Sequence, residues 1–212
     1  MSVYYPVSLK LEGRRSVVIG DGWGTAERVR SLIEAGARVT LISPTAAPEV
    51  AQLAQEGRIE WQAREYRRGD LEAAFLVIAC PLDRGRNAEI WAEAEARGIL
   101  MNAVDDQPHS SFVLPAIHRQ GDLAITVSSG GKSPALASRI RDRIAREVGP
   151  AYGRFLDLLG QLRPEVIERF PGFERRRGIW YSLVDSRALD LLDAGGAEAA
   201  LAELRSVLEK AS

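Results

Sequence analysis

The chain has 212 residues, with 28 lysines and arginines against 29 aspartates and glutamates, and a single cysteine, Cys80. A hydrophobic content of 46% is enough for a sizeable core and excludes wholesale disorder. A formal charge of −1 lacks the broad positive field of a non-specific nucleic-acid binder, and one cysteine permits neither an intramolecular disulfide nor a multi-cysteine metal site. No apolar run approaches the roughly 20 residues that span a bilayer, and the opening Met1-Ser2-Val3-Tyr4-Tyr5-Pro6 has no secretory pattern. The expectation is a cytoplasmic protein with neither nucleic acid nor membrane as a partner.

The first half alternates short apolar runs with helical periodicity, the pattern of a parallel sheet wrapped by helices. Ser16–Ile19 reads as a buried strand, broken by Gly20-Asp21-Gly22-Trp23-Gly24. Ala26, Val29, Leu32 and Ile33 then mark a helix that Ala35-Gly36 stops. Arg38–Ile42 is a second strand ended by Ser43-Pro44, a helix covers Pro48 to Gln55, and Ile59–Ala63 is a third strand. Phe75–Cys80 is the most apolar strand and is closed by Pro81. A helix over Asn87–Arg97 leads to a strand over Leu100–Val104. Beyond residue 112, Phe112–Arg119 and Leu123–Ser128 read as two strands joined across Gln120-Gly121-Asp122. The loop Ser129–Pro134 leads into a helix over Ala135–Val148, and the chain past Gly149-Pro150 is mostly helical.

The strand–turn–helix at residues 16–33 carries Gly20-x-Gly22-x-Gly24-Thr25, a glycine turn able to bring backbone close to a pyrophosphate at a helix N-terminus. Trp23 lies inside this turn. Thr25 takes the place of a third glycine or alanine, and Asp21 puts a carboxylate near the expected phosphates unless it faces outward. A tight strand–helix turn with no ligand is the alternative. The acid expected at the end of the second strand is absent: Ser43, Pro44 and Thr45 stand there, so the motif does not distinguish NAD from NADP.

Two further segments stand out. Asn102-Ala103-Val104-Asp105-Asp106 ends a strand at the edge where such sheets keep their ligands, and leads through Pro108 to Phe112-Val113-Leu114-Pro115-Ala116. Ser128-Ser129-Gly130-Gly131-Lys132-Ser133-Pro134-Ala135-Leu136-Ala137 opens a helix carrying Arg139, Arg143 and Arg146 on one face. All but three of the basic residues are arginine, so a solvated face partly paired with Asp142 and Glu147 is an equal reading of that helix. His109 and His118 suit surface or hydrogen-bonded roles, and no metal ligands are assigned.

In order, these segments resemble the precorrin-2 dehydrogenase/sirohydrochlorin ferrochelatase family, the dehydrogenase half of sirohaem synthase. Tyr5-Pro6-Val7 and Leu11-Glu12-Gly13-Arg14 match its opening strand. The departures fall in the cofactor turn: Asp21 for the middle glycine, Gly24-Thr25 for Val-Ala, and Glu27-Arg28 for Arg-Lys.

The resemblance implies a Rossmann-like α/β fold with a parallel sheet, followed by a small α+β dimerisation segment and a C-terminal helical domain. The corresponding boundaries are 1–112, 113–149 and 150–212. It implies NAD held by Gly20, Gly22, Trp23, Gly24, Thr25, Ser43, Pro44 and Thr45. Asp105 is implied as the general base, and Asn102, Ser128, Ser129, Gly130, Arg139 and Arg143 as contacts to the acidic tetrapyrrole precorrin-2; the position of Asp105 beside Asp106 adds the expectation that it is partly buried. A homodimer is implied, with room for no fused methyltransferase, and Fe2+ chelation into sirohydrochlorin is left open. The alternative from another class is a nicotinamide-sensing regulatory module without catalysis.

Overall fold

Alternate residues of each strand in the N-terminal half enter different cores, because successive side chains on a strand point to opposite faces. Val17, Ile19, Ile42, Val77, Ala79 and Met101 pack with Ile90, Ala94, Tyr66 and Leu71 on one face of the sheet. Val18, Val39, Leu41, Leu76, Ile78 and Cys80 pack with Val29, Leu32 and Val50 on the other. A sheet covered on both faces needs strands that are apolar throughout, which is why these segments read as unbroken hydrophobic runs. The computed structural model describes residues 4–80 and 82–211, so the first three residues, Pro81 and Ser212 lie outside it.

Two compact units make up the chain, Met1–Leu114 and Pro115–Ser212. The first contains β1 (Arg15–Ile19), α1 (Thr25–Glu34), β2 (Arg38–Ile42), α2 (Pro48–Gln55), β3 (Glu60–Gln62), β4 (Leu76–Ala79), α3 (Arg84–Arg97) and β5 (Leu100–Ala103). Its five strands are ordered β3-β2-β1-β4-β5, and every pairing in the sheet is parallel. The chain proceeds outward from β1 to β3 and then crosses to the other side of β1, so the order reverses between β1 and β4. Doubly wound sheets bind ligands at the carboxyl ends of the strands flanking such a reversal.

Three boundaries differ from the sequence reading by more than one residue, each for a local reason. Residues 4–11 form no strand, with Tyr5 and Val7 exposed. Helix α3 starts at Arg84 rather than Asn87, because the Asp83 carboxylate caps it by accepting the Arg86 N–H at 2.9 Å. The strand expected from Phe112 begins only at Ala116, since residues 110–112 are held along the edge of β5 instead.

The second unit contains β6 (Ala116–Gln120), β7 (Leu123–Val127), α4 (Pro134–Glu147), α5 (Pro150–Arg169), α6 (Phe173–Val184), α7 (Ala188–Asp193) and α8 (Ala197–Lys210). β6 and β7 form an antiparallel hairpin closed by Gly121-Asp122. Gly153 lets α5 approach it, because a Cβ there would lie 2.7 Å from the Gln120 carbonyl oxygen. Phe155, Leu162, Val166, Phe170, Leu183, Leu192, Leu204 and Leu208 form a separate helical core. Among the described residues, no helix is long and apolar enough to cross a membrane.

Candidate functional site

The turn after β1 is shaped by the close passage of β1 and β4. Gly20 has φ +93°, and a Cβ on it would stand 2.8 Å from the Cys80 carbonyl oxygen. The Cys80 N–H in turn donates to the Ile19 carbonyl at 2.8 Å, fixing the approach. Burial pushes the Cys80 thiol up from its ordinary value, in keeping with a packing role rather than nucleophilic chemistry. Thr25 fits where a glycine or alanine was expected because its buried hydroxyl donates to the Gly20 carbonyl at 3.3 Å.

The residues expected to hold a dinucleotide lie around this turn and around the end of β2. Gly24, left-handed at φ +83°, precedes α1, and no side chain caps the helix. A helix that opens without a cap leaves first-turn N–H groups for an anion, and no atom lies within 4 Å of a Cβ built on Gly24. The backbone thus offers open space and donors where a pyrophosphate is expected. Gly22 is half-buried and Trp23 is exposed. Ser43 is buried, its carbonyl accepting the Trp61 indole N–H at 3.0 Å, while Pro44 and Thr45 are exposed. Asp21 turns to the loop after β2, its Oδ1 accepting the Ala47 N–H at 3.1 Å.

At the other edge of the sheet, β5 lacks a strand neighbour on its outer side, and side chains take over that role. The Ser111 Oγ accepts the Met101 N–H and the Ser110 Oγ accepts the Ala103 N–H, both at 2.9 Å. The Asn102 amide donates to the Phe112 carbonyl at 2.9 Å. The chain leaving β5 is therefore strapped back along it. Between strand and strap stands Asp105 with φ +61°, a left-handed conformation unusual outside glycine. Its side chain is exposed, which corrects the expectation of partial burial: the turn projects it beyond the sheet rim.

Asp106 is the buried member of the pair. Its Oδ2 accepts from the Asn87 amide at 3.0 Å and meets the His109 Nδ1 at 2.8 Å. Burial pushes its carboxyl up, but the hydrogen bonds from His109 and Asn87 outweigh this and hold it below its ordinary value. Asn87, on the first turn of α3, is itself buried, and its Oδ1 has no partner among the described residues. No sequence signal marked this cluster, because its three members meet only through the packing of α3 beside β5.

The remaining expected contacts are all in the second unit. Ser128 Oγ accepts the Gly130 N–H at 3.2 Å, and Ser129 Oγ accepts the Ser133 N–H at 3.0 Å. Ser133 caps α4 by accepting the Leu136 N–H at 3.2 Å, which takes up one of the donors expected for a ligand. Arg139 and Arg143 are exposed, and Arg143 pairs loosely with Glu147 at 3.9 Å. Arg141, which no sequence motif marks, ties α4 to β6 by donating to the Ile117 carbonyl at 3.3 Å. His118 is hydrogen-bonded to the Val148 carbonyl at 2.7 Å. Among the described residues, no three histidine, cysteine or carboxylate side chains gather as a metal site.

The family model described as "Putative NAD(P)-binding" matches residues 7–116. One described as the sirohaem biosynthesis protein central region matches 120–147, and one described as the sirohaem synthase dimerisation region matches 151–208. The chain is 33% identical over 207 residues to siroheme synthase 1 of Serratia proteamaculans, covering 98% of this chain and 44% of that one. It is 36% identical over 197 residues to siroheme synthase of Pseudomonas entomophila, covering 92% and 42%. It thus spans less than half the length of these curated relatives. Among solved structures, the one titled SirC, precorrin-2 dehydrogenase, superposes with a TM-score of 0.74 over 98% of both chains at 22% identity, a likeness of fold.

Proposed function

Since the chain belongs to the sirohaem synthase family of NAD(P)-binding proteins, we propose that it oxidises precorrin-2 to sirohydrochlorin with NAD as the hydride acceptor. The observation that carries this reading is the pairing of two features on one sheet rim. An uncapped glycine turn lies at the reversal between β1 and β4, and an exposed carboxylate, Asp105, follows the adjacent β5.

Bound NAD would supply the electrophilic ring that accepts a hydride. Gly20, Gly22, Trp23, Gly24 and Thr25, with Ser43, Pro44 and Thr45, are the residues proposed to hold it. Asp105 acts as general base, taking the proton lost from the macrocycle as the hydride leaves, so that two electrons and two protons are accounted for as NADH and H+. Its left-handed backbone, anchored by the Ser110 and Ser111 bonds to β5, fixes where that carboxylate stands. Ser128, Ser129, Gly130, Arg139 and Arg143 are proposed to meet the substrate's acetate and propionate groups, with Asn102 acting chiefly by holding the Phe112 carbonyl. The same exposed Asp105 carboxylate is available to take one of the two pyrrole protons released on Fe2+ insertion, the other passing to solvent, and Fe2+ stands in the proposal as a second substrate.

We propose that the protein works in the cytoplasm as a homodimer, associating through residues 113–149 and the helical segment 150–212. The dimerisation-region match, at 151–208, supports the helical segment, and the exposed apolar side chains Leu136 and Ile140 on α4 and Phe173 and Tyr181 on α6 offer surface for such contacts. A non-catalytic nicotinamide-sensing module is not favoured, because the matches continue beyond the dinucleotide-binding part through the central and dimerisation regions.

The test is NADH formation, followed by absorbance, from anaerobically prepared precorrin-2. The wild-type chain is expected to turn over, and Asp105→Asn to lose 100-fold or more in rate while still binding NAD. Folded protein that binds NAD and yields no NADH would remove the dehydrogenase reading. Full activity of Asp105→Asn would remove the general base.

A further inference from the structure

We propose that Asp21 selects NAD against NADP, the glycine turn supplying the carboxylate that the end of β2 lacks. This deepens the dinucleotide reading above and rests on it. In sheets of this kind the acid that accepts from the adenosine ribose stands at the carboxyl end of β2. Here that position holds Ser43-Pro44-Thr45, and neither lysine nor arginine occurs from there through Ala47 to receive a 2′-phosphate.

Asp21 sits in the turn after β1, yet its Oδ1 accepts the Ala47 N–H from the loop that follows β2. The carboxylate therefore bridges the phosphate turn and the ribose-side loop. Its Oδ2 has no hydrogen bond from any described residue and is available to a hydroxyl donor. Two arginines of this unit, Arg64 and Arg30, are committed to carboxylates of their own. Arg64, after β3, is held by both oxygens of Asp70 at 2.7 and 2.8 Å. On α1, Arg30 is paired with Glu49, while Arg28 meets the exposed Glu27 at 3.5 Å and keeps its buried Nε without a hydrogen bond among the described residues. A ribose hydroxyl meets an acceptor at this place, whereas a phosphate ester meets the like charge of Asp21 with no lysine or arginine between Ser43 and Ala47 to offset it.

The same bond answers the electrostatic objection to an acid in a phosphate turn, since Asp21 is drawn toward the β2 loop. It also separates charge from scaffold. Asp21→Asn keeps an oxygen for the Ala47 N–H and removes only the charge, while Asp21→Gly removes both and restores the glycine that related turns carry.

The test is calorimetric binding of NAD+ and of NADP+ to the purified full chain, with no tetrapyrrole present. The wild type is expected to bind NAD+ at least 10-fold more tightly than NADP+, and both variants to shrink that ratio by 10-fold or more. A ratio that stays fixed in both folded variants would overturn the role of Asp21 while leaving NAD binding intact. Equal affinity of the wild type for the two dinucleotides would overturn it as well. Binding of neither would remove this inference and the NAD reading together, and Asp105 plays no part in any of these outcomes.

Discussion

Replacing Gly20 by alanine perturbs the place where β1, β4 and the cofactor turn meet. Two costs add. Alanine at φ +93° occupies a region that L-residues avoid, at about 1–2 kcal/mol. Its Cβ would also fall 2.8 Å from the Cys80 carbonyl oxygen and 3.0 Å from the Leu82 Cδ2. The leucine can rotate, but the carbonyl belongs to backbone whose N–H is bonded to Ile19, so the strands must part, a strain of about 1–3 kcal/mol. The sum, about 2–5 kcal/mol, is a large share of ordinary domain stability. Gly24→Ala is the matched control, with φ +83° but no atom within 4 Å of the new Cβ, so only the conformational cost of about 1–2 kcal/mol applies. Urea unfolding gives each loss from the shift in midpoint at unchanged slope, and native-state amide exchange at Val17 and Val18 localises it to β1. A Gly20→Ala loss no greater than that of Gly24→Ala would refute the argument that close approach of the strands governs this turn.

Three other perturbations test the β5 edge. Ser111→Ala removes the acceptor of the Met101 N–H, for a loss of about 1–3 kcal/mol and faster exchange of that amide; an unchanged exchange rate would contradict the strap. Asp106→Ala strands the Asn87 and His109 donors, with a loss of about 1–3 kcal/mol at neutral pH. Because the folded carboxyl titrates below its unfolded value, this contribution is complete above about pH 3.9 and disappears as pH falls through the folded value. An acid-unfolding profile that is the same in wild type and Asp106→Asn would contradict it. Asp105→Gly relieves a left-handed non-glycine residue and is expected to leave stability within about 1 kcal/mol of wild type, on the stabilising side, while abolishing turnover. A clear fall in the melting midpoint would mean that the Asp105 side chain is structural.

The strands β1, β2, β4 and β5 and the helices α1 and α2 were legible in the sequence because a sheet buried on both faces prints apolar runs, and helices on its faces print a spacing of three and four. The Gly20–Thr25 turn was legible because Gly20 and Gly24 stand where the backbone takes positive φ. Elsewhere the local signal misled. Phe112-Val113-Leu114 has strand composition, but Ser110, Ser111 and Asn102 fasten the preceding chain to β5, so pairing begins only at Ala116. Tyr5-Pro6-Val7 looked like the start of a strand and finds no ladder to join.

Side-chain roles divide in the same way. That Asp105 and Asp106 follow a strand at the sheet's carboxyl edge is a matter of chain order, fixed by the residues themselves. That one is exposed in a left-handed turn while the other is buried between Asn87 and His109 depends on residues up to 19 positions apart being packed side by side. The sequence alone likewise made Asp21 an awkward charge in a phosphate turn, and only the fold supplied the Ala47 N–H, 26 residues away, that draws it to the neighbouring loop. Periodicity and turn chemistry are local and survive in one dimension. Burial and hydrogen-bond partnership belong to pairs of distant residues and exist only once the strands have been set side by side.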